Sequence, residues 1–277
     1  MNLRKILKNL KPGQAILHYN FASLEQFHAG IESVKATGLP LLFGVSEGER
    51  AYVGEAAAKT LTAEARKNWP VFLNADHTKS VEKAERVIKL DYDEVLFDGS
   101  RLDFQENILA TKKVVGLRDE RDKNILIEGE LGFLPGESEL EGKIEMKPEY
   151  LTQPDQARAF VEATGVDLLA PSVGNIHGIP DQKIIIDFDR IRKIKAQIGA
   201  VEIVLHGGSG LTDEDFRAAI EAGAKIIHLN TEFRKIWKEE LSAQIVESTI
   251  TPYKLMAPVI EKIKERIVHY QKLFWQI

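Results

Sequence analysis

A chain of 277 residues that is 44% hydrophobic and 29% charged, with a formal net charge of -5, can bury one sizeable core and lacks the basic excess of a nucleic-acid binder. Seven histidines and no cysteine exclude disulfides, thiolate-held zinc or iron–sulfur centres and cysteine nucleophiles, leaving imidazole and carboxylate as the protein ligands for a transition metal. The opening MNLRKILKNLKPG lacks the apolar core of a signal peptide, and no stretch reaches the roughly 18 apolar residues of a membrane span, so a cytoplasmic protein is expected.

Eight short apolar runs alternate with helix-period segments along the chain: Ala15–Asn20, Leu41–Ser46, Val71–Asp76, Glu94–Asp98, Ile125–Leu131, Val166–Val173, Val201–His206 and Ala224–Asn230. The segments between them carry helix-start signals such as Ser23 with Gln26 and Thr212 with Asp215, an oxygen-bearing cap with a polar residue three later. After Ser23, the residues Leu24, Phe27, Ile31 and Val34 share one helical face that would pack onto a sheet. Strands that read as continuous apolar runs, each followed by a helix, predict a closed parallel (β/α)8 barrel, with an open doubly wound sheet as the alternative. No linker divides the chain, so residues 1–277 are read as a single barrel domain. Two segments exceed the repeat. Gly132–Lys147 reads as a mobile cover over a strand end, and the helical patterns near Glu232–Ser248 and Leu255–Leu273 add a C-terminal helix that is a candidate dimer contact.

In such a barrel the chemistry sits at the carboxyl ends of the strands. The polar residues there are Asn20, Ser46, Asp76, His77, Asp98, Glu128, Glu130, His177, His206, His228, Asn230 and Thr231. His77, His177 and His206 follow the third, sixth and seventh runs, where they are able to converge on one zinc ion with an open position, or serve as ordinary polar residues of the loops. His18, His28 and His269 read as packed or solvated. Around Ser209, the glycines Gly207, Gly208 and Gly210 allow backbone N–H groups to converge on a phosphate, beside Asn230 and Thr231, or simply form a tight turn. Asp76, next to His77, suits either an acid–base role or a turn. Glu128 and Glu130 point the same way, and a buried carboxylate there needs a cation or a hydrogen-bond partner.

These blocks, taken in order, resemble the motifs of class II ketose-bisphosphate aldolases: His18-Tyr19-Asn20-Phe21, Asn74-Ala75-Asp76-His77, Phe97-Asp98-Gly99-Ser100, Glu128-Gly129-Glu130-Leu131-Gly132, Gly174-Asn175-Ile176-His177-Gly178, Leu205-His206-Gly207-Gly208-Ser209-Gly210 and Asn230-Thr231-Glu232. The resemblance runs from about residue 14 to 260. It implies a zinc-dependent (β/α)8 lyase, a homodimer or higher oligomer, that cleaves a ketose phosphate to dihydroxyacetone phosphate and an aldehyde. By that resemblance His77, His177 and His206 hold the zinc, Asp76 moves a proton at the C4 hydroxyl, and Gly178, Gly207, Ser209 and Thr231 bind the phosphate, with Asn20 and Ser46 lining the same pocket. Asp98 and Glu130 match a second, deeper cation site.

Three positions depart from the pattern. His228 stands where the family usually has an asparagine that touches substrate oxygens, and its imidazole adds a further nitrogen near the zinc. The loop Leu134–Glu139 puts Ser138 where counting expects the glutamate that moves the C3 proton, so Glu137 or Glu139 is expected to serve. Pro252 is followed by Tyr253 where many members have an arginine for the distal phosphate, leaving a ketose 1-phosphate or a 1,6-bisphosphate as substrate. The rival reading is a non-catalytic phosphosugar-binding relative that kept the barrel and lost proton transfer.

Overall fold

The computed structural model describes residues 2–137, 139–245 and 250–277. Its first half comprises α1 (Leu3–Asn9), β1 (Ile16–Asn20), α2 (Leu24–Thr37), β2 (Leu41–Val45), α3 (Glu47–Val53), α4 (Glu55–Arg66), β3 (Val71–Thr78), α5 (Val81–Lys89), β4 (Glu94–Phe97), α6 (Phe104–Arg121) and β5 (Leu126–Leu131). The second half continues with β6 (Leu140–Glu141), α7 (Pro154–Thr164), β7 (Leu168–Pro171), β8 (Ile179–Pro180), α8 (Phe188–Gln197), β9 (Glu202–Leu205), α9 (Asp213–Ala222), β10 (Ala224–Leu229), α10 (Thr231–Ile245) and α11 (Pro252–Trp275). Eight parallel strands close into a barrel in the order β1-β10-β9-β7-β5-β4-β3-β2. The eight apolar runs are these eight strands, most of them shorter than the run by a residue or more, while β3 extends past its run through His77 to Thr78.

Helix starts follow the chemistry of the sequence. Ser23 caps α2 by accepting the Gln26 N–H, and Ser46 with Glu49, Asp103 with Glu106 and Thr212 with Asp215 form reciprocal capping boxes. Side chains alternate across each strand. Leu17, Tyr19, Leu41 and Phe43 face the helices in the outer core, while Ile16, Leu42, Phe72, Leu126, Leu168, Val204 and Ile226 form a separate apolar floor inside the barrel. Leu3 and Leu7 of α1 close that floor from below, and Arg4 ties the plug to Asp167 at 2.6 Å. Above the floor the interior turns polar. His18, Asn74, Glu94, Glu128, His206 and His228 are all buried there, so the barrel carries its chemistry deep below its mouth.

Two features add detail that the sequence pattern does not carry. The segment after β5 contains β6, which pairs with β8 in a small parallel sheet (Leu140 opposite Ile179), so the cover is stitched to the loop that bears His177. The C-terminal helix α11 turns Val259, Ile263, Ile267, Tyr270 and Phe274 inward against the barrel's own α2, α9, α10 and β1. Ser248, the expected end of the preceding helix, lies outside the described residues, as does Ser138 of the cover.

Candidate active site

Adjacent residues of a strand normally point to opposite faces, yet Asp76 and His77 both line the pocket. The pairing of β3 with β4 shifts register between Ala75 and Thr78, and His77 takes a positive φ of 42°. This bulge re-aims both side chains. Arg50 of α3 fastens it from behind: buried, its guanidinium donates to the carbonyls of Val45 (2.6 Å) and Asp76 (3.0 Å) and to Thr78 Oγ1 (3.1 Å).

His77, His177 and His206 each offer a ring nitrogen within 4.8 Å of the others'. Their ring centroids are 4.9, 5.1 and 6.1 Å apart. Carboxylates orient them. His77 Nδ1 faces Asp98 at 3.1 Å and Glu130 at 3.4 Å, and His206 Nε2 faces Glu128 at 2.8 Å, which turns the other nitrogen of each ring inward. His177 Nε2 is buried without a hydrogen-bond partner. Asn175 joins two of the loops by donating to the His206 carbonyl at 3.0 Å.

Burial first, and then the neighbouring His77, push His177 down to about 4 and His206 down to about 3. Both imidazoles therefore keep free lone pairs at neutral pH. Burial works against charge on His77 too, but Asp76, Asp98 and Glu130 hold its imidazolium well above the ordinary range. Burial raises Glu94 well above carboxylate values, with Glu128 beside it, and raises Glu128 to about 8. The chemistry of this cluster is that of a cation site: His177 and His206 present unprotonated nitrogens, and the carboxylates behind His77 that now hold its imidazolium would equally favour a metal cation in place of that proton.

Beside it, Gly178, Gly207, Ser209, Asn230 and Thr231 line a small recess with Asn20 and His228. Gly207 needs its positive φ of 63° and its bare α-carbon, because a Cβ would sit 2.3 Å from the Ile176 carbonyl oxygen. The N-terminus of α10 opens here, and Ser209 Oγ accepts the Glu232 N–H at 3.2 Å. A helix N-terminus flanked by a glycine turn suits a phosphate. Gly208 faces away, donating its N–H to the His228 carbonyl at 3.2 Å. Asn20 Nδ2 donates to Asp76 at 2.9 Å and to Glu49 at 2.7 Å.

The recess opens into a cavity of about 330 Å³ whose wall includes Ser46, Asp76, His77, Asp98, Glu130, Glu137, Lys79 and Arg101. The cover reaches it because the Pro135 carbonyl accepts the His177 N–H at 2.9 Å and Gly136, at φ 92°, passes so close that a Cβ would meet the His177 oxygen at 2.3 Å. Glu137, though exposed, thereby lines the same cavity as His77 and His177, while Glu139 lines a neighbouring recess with Arg234 and Lys238. Tyr253 lies elsewhere, in a groove with Phe27 and Trp69.

Sequence reasoning passed over four residues of this site. Glu49 is buried against Asn20 and Arg234, and its spacing from Ser46 was the readable signal of a capping box. Arg50 and Glu94 carried no local signal. His18, read as packed or solvated, is fully buried and stacks on His228 at 3.5 Å. His28 and His269 do lie at the surface, near Glu32 and Asp213.

Comparison with known proteins agrees with this geometry. A family model described as class II fructose-bisphosphate aldolase matches residues 1–276. A probable fructose-bisphosphate aldolase of Bacillus subtilis (strain 168) is 31% identical over 274 residues, spanning 95% of this chain and 92% of the relative. A fructose-bisphosphate aldolase of Staphylococcus aureus (strain N315) is 30% identical over 280 residues, spanning 96% and 94%. Among solved structures, the YdjI aldolase from Escherichia coli K12 superposes with a TM-score of 0.82 at 26% identity, covering 99% of this chain and 96% of that one.

Proposed function

Because the chain belongs to the class II fructose-bisphosphate aldolase family, we propose that it is a metal-dependent lyase that breaks and forms the C3–C4 bond of a ketose 1-phosphate or 1,6-bisphosphate by way of the dihydroxyacetone phosphate enediolate. The observation that carries this reading is the meeting of three histidine nitrogens from separate strand ends beside a glycine turn at a helix N-terminus.

The donor set fits the zinc that class II aldolases generally use: His77, His177 and His206 would hold it, and the unpartnered buried Nε2 of His177 is a ligand atom awaiting a partner. When bound, the metal supplies Lewis-acid stabilisation of negative charge developing on the substrate oxygens. The protein does the rest. Gly178, Gly207, Ser209, Asn230 and Thr231 anchor the phosphate and so orient the reacting carbons. Asp76, tethered by Asn20, takes or returns the proton of the C4 hydroxyl, and Glu137 moves the C3 proton. His228 touches the substrate oxygens from the recess wall. Asp98 and Glu130 orient His77 and would be the residues to hold a second cation. Lys79, Arg101 and Arg234 are the cationic side chains lining this wider cavity, and would face the end of the substrate that leaves as the aldehyde. The same proposal takes residues 1–277 as one barrel domain that assembles as a homodimer or higher oligomer in the cytoplasm.

Chelator treatment is expected to abolish aldol cleavage and zinc to restore it, and His206→Ala to lower metal content. Activity retained in metal-free protein would sink the mechanism. Exchange of the C3 proton of dihydroxyacetone phosphate with solvent deuterium tests Glu137: we expect Glu137→Gln to slow exchange about 100-fold or more, whereas Glu139→Gln leaves it unchanged. Absence of exchange in the unaltered protein, with dihydroxyacetone phosphate still bound, would favour a non-catalytic phosphosugar binder.

A further inference from the structure

His18 and His228 are register partners on the neighbouring strands β1 and β10. Both face the barrel axis, and their rings stack with centroids 3.5 Å apart and planes within 5°. His228 lines the recess, but His18 does not. We propose that His18 is a positioning residue: its ring face fixes the plane of His228 and so aims that imidazole at the oxygens of bound dihydroxyacetone phosphate. The proposal rests on the reading of His228 as a substrate contact.

His228 is weakly held at its edges. Its Nδ1 lies 3.6 Å from Asp76 Oδ1 and its Nε2 lies 4.0 Å from Glu128 Oε2, both beyond hydrogen-bond length. The neighbouring His206 ring also bounds His228, at 3.9 Å, but is tilted to it by 37°. The face of His18 is the closer of the two and the one that lies parallel to the His228 plane. His18 is in turn wedged. A Cβ at Gly44 of β2 would sit 2.2 Å from His18 Cε1 and 2.4 Å from Nε2, so the missing side chain is what admits the ring. Neither nitrogen of His18 has a hydrogen-bond partner, although the residue is fully buried. It acts on its surroundings through its face, and the face it presents is to His228.

The test uses the zinc-loaded enzyme with dihydroxyacetone phosphate as the probe, following C3-proton exchange in His18→Ala, His18→Phe, His228→Ala and the double variant His18→Ala/His228→Ala. His18→Ala is expected to lower kcat for exchange about 10-fold while KM changes less than about 3-fold and metal content stays the same. His18→Phe keeps a stacking face and should recover most of the rate. The double variant should be no slower than His228→Ala alone, because both losses pass through one ring. Equal losses in the Phe and Ala variants, or additive losses in the double variant, would overturn the proposal. If His228→Ala exchanges at the parental rate, it is the substrate-contact reading that fails. Positioning is then decided by a crystal structure of His18→Ala: a His228 ring in its original plane refutes it, and a rotated ring upholds it.

Discussion

Arg50 shows how much of this site depends on a residue that never reaches the cavity. Its guanidinium satisfies two backbone carbonyls and a threonine hydroxyl at the one place where β3 bulges, and the bulge is what lets Asp76 and His77 share a face. We expect Arg50→Met to cost about 1–3 kcal/mol by leaving those acceptors unpaired in the interior, and to lower turnover about 10- to 100-fold by displacing Asp76 and His77. Denaturant unfolding and kcat per metal-loaded site measure the two separately. A stability loss with intact turnover would make Arg50 a structural residue alone. Legibility at this scale follows geometry. His77, His177 and His206 were visible because each ends or closely follows an apolar run, where a parallel barrel collects its polar groups. Arg50 sits inside a helical segment and Glu94 at the start of a strand, so neither position announces what it faces. His18 was legible only as packed or solvated, and not as stacked, since its partner is 210 residues away and known only once β1 and β10 are neighbours.

At the scale of elements, the short apolar runs announced the barrel strands, and the capping pairs announced several helices. Two pieces were hidden. β6 and β8 are two-residue strands with no pattern of their own, formed because the cover runs alongside the His177 loop. α1 is one of the shortest helices described, and its Leu3 and Leu7 share a face only once they meet the barrel floor; read alone, the segment is merely a basic and apolar stretch. The floor lies at the opposite end of the strands from the histidines, which gives a clean separation of stability from catalysis. Leu7→Ala is expected to destabilise the protein by about 2–5 kcal/mol, as expected for truncating a buried leucine against a packed floor, with kcat unchanged while the protein is folded. Thermal or urea unfolding and steady-state assay at low temperature check both halves. Loss of kcat in the folded variant would show that the floor is coupled to the mouth.

For the molecule as a whole, the polar interior poses an electrostatic problem that hydrogen bonds alone do not solve. Asp76, Glu94, Glu128 and Glu130 are buried, with Asp98 beside them, whereas burial leaves His18, His177, His206 and His228 uncharged. Without a bound cation, His77 is the one imidazole of the cluster held in its charged form. Burial shifts the balance at Glu94 and Glu128 toward the protonated form, raising Glu94 well above the ordinary carboxylate range and Glu128 to about 8. A divalent cation bound among the histidines relieves the electrostatic problem more fully, and because the unfolded chain offers no such site, binding adds to folding stability. Zinc at about 100 times its Kd should contribute about 2.7 kcal/mol. For a chain of this size that raises Tm by about 5 °C over chelated protein. The shift should grow with the logarithm of free zinc, and it should be strongly reduced in His177→Ala, which removes a ligand without adding charge. Scanning calorimetry of chelated and zinc-loaded protein provides the measurement. Equal melting temperatures across the zinc series would mean that the buried carboxylates are balanced without a metal, and the cation site would have to be abandoned along with the mechanism built on it.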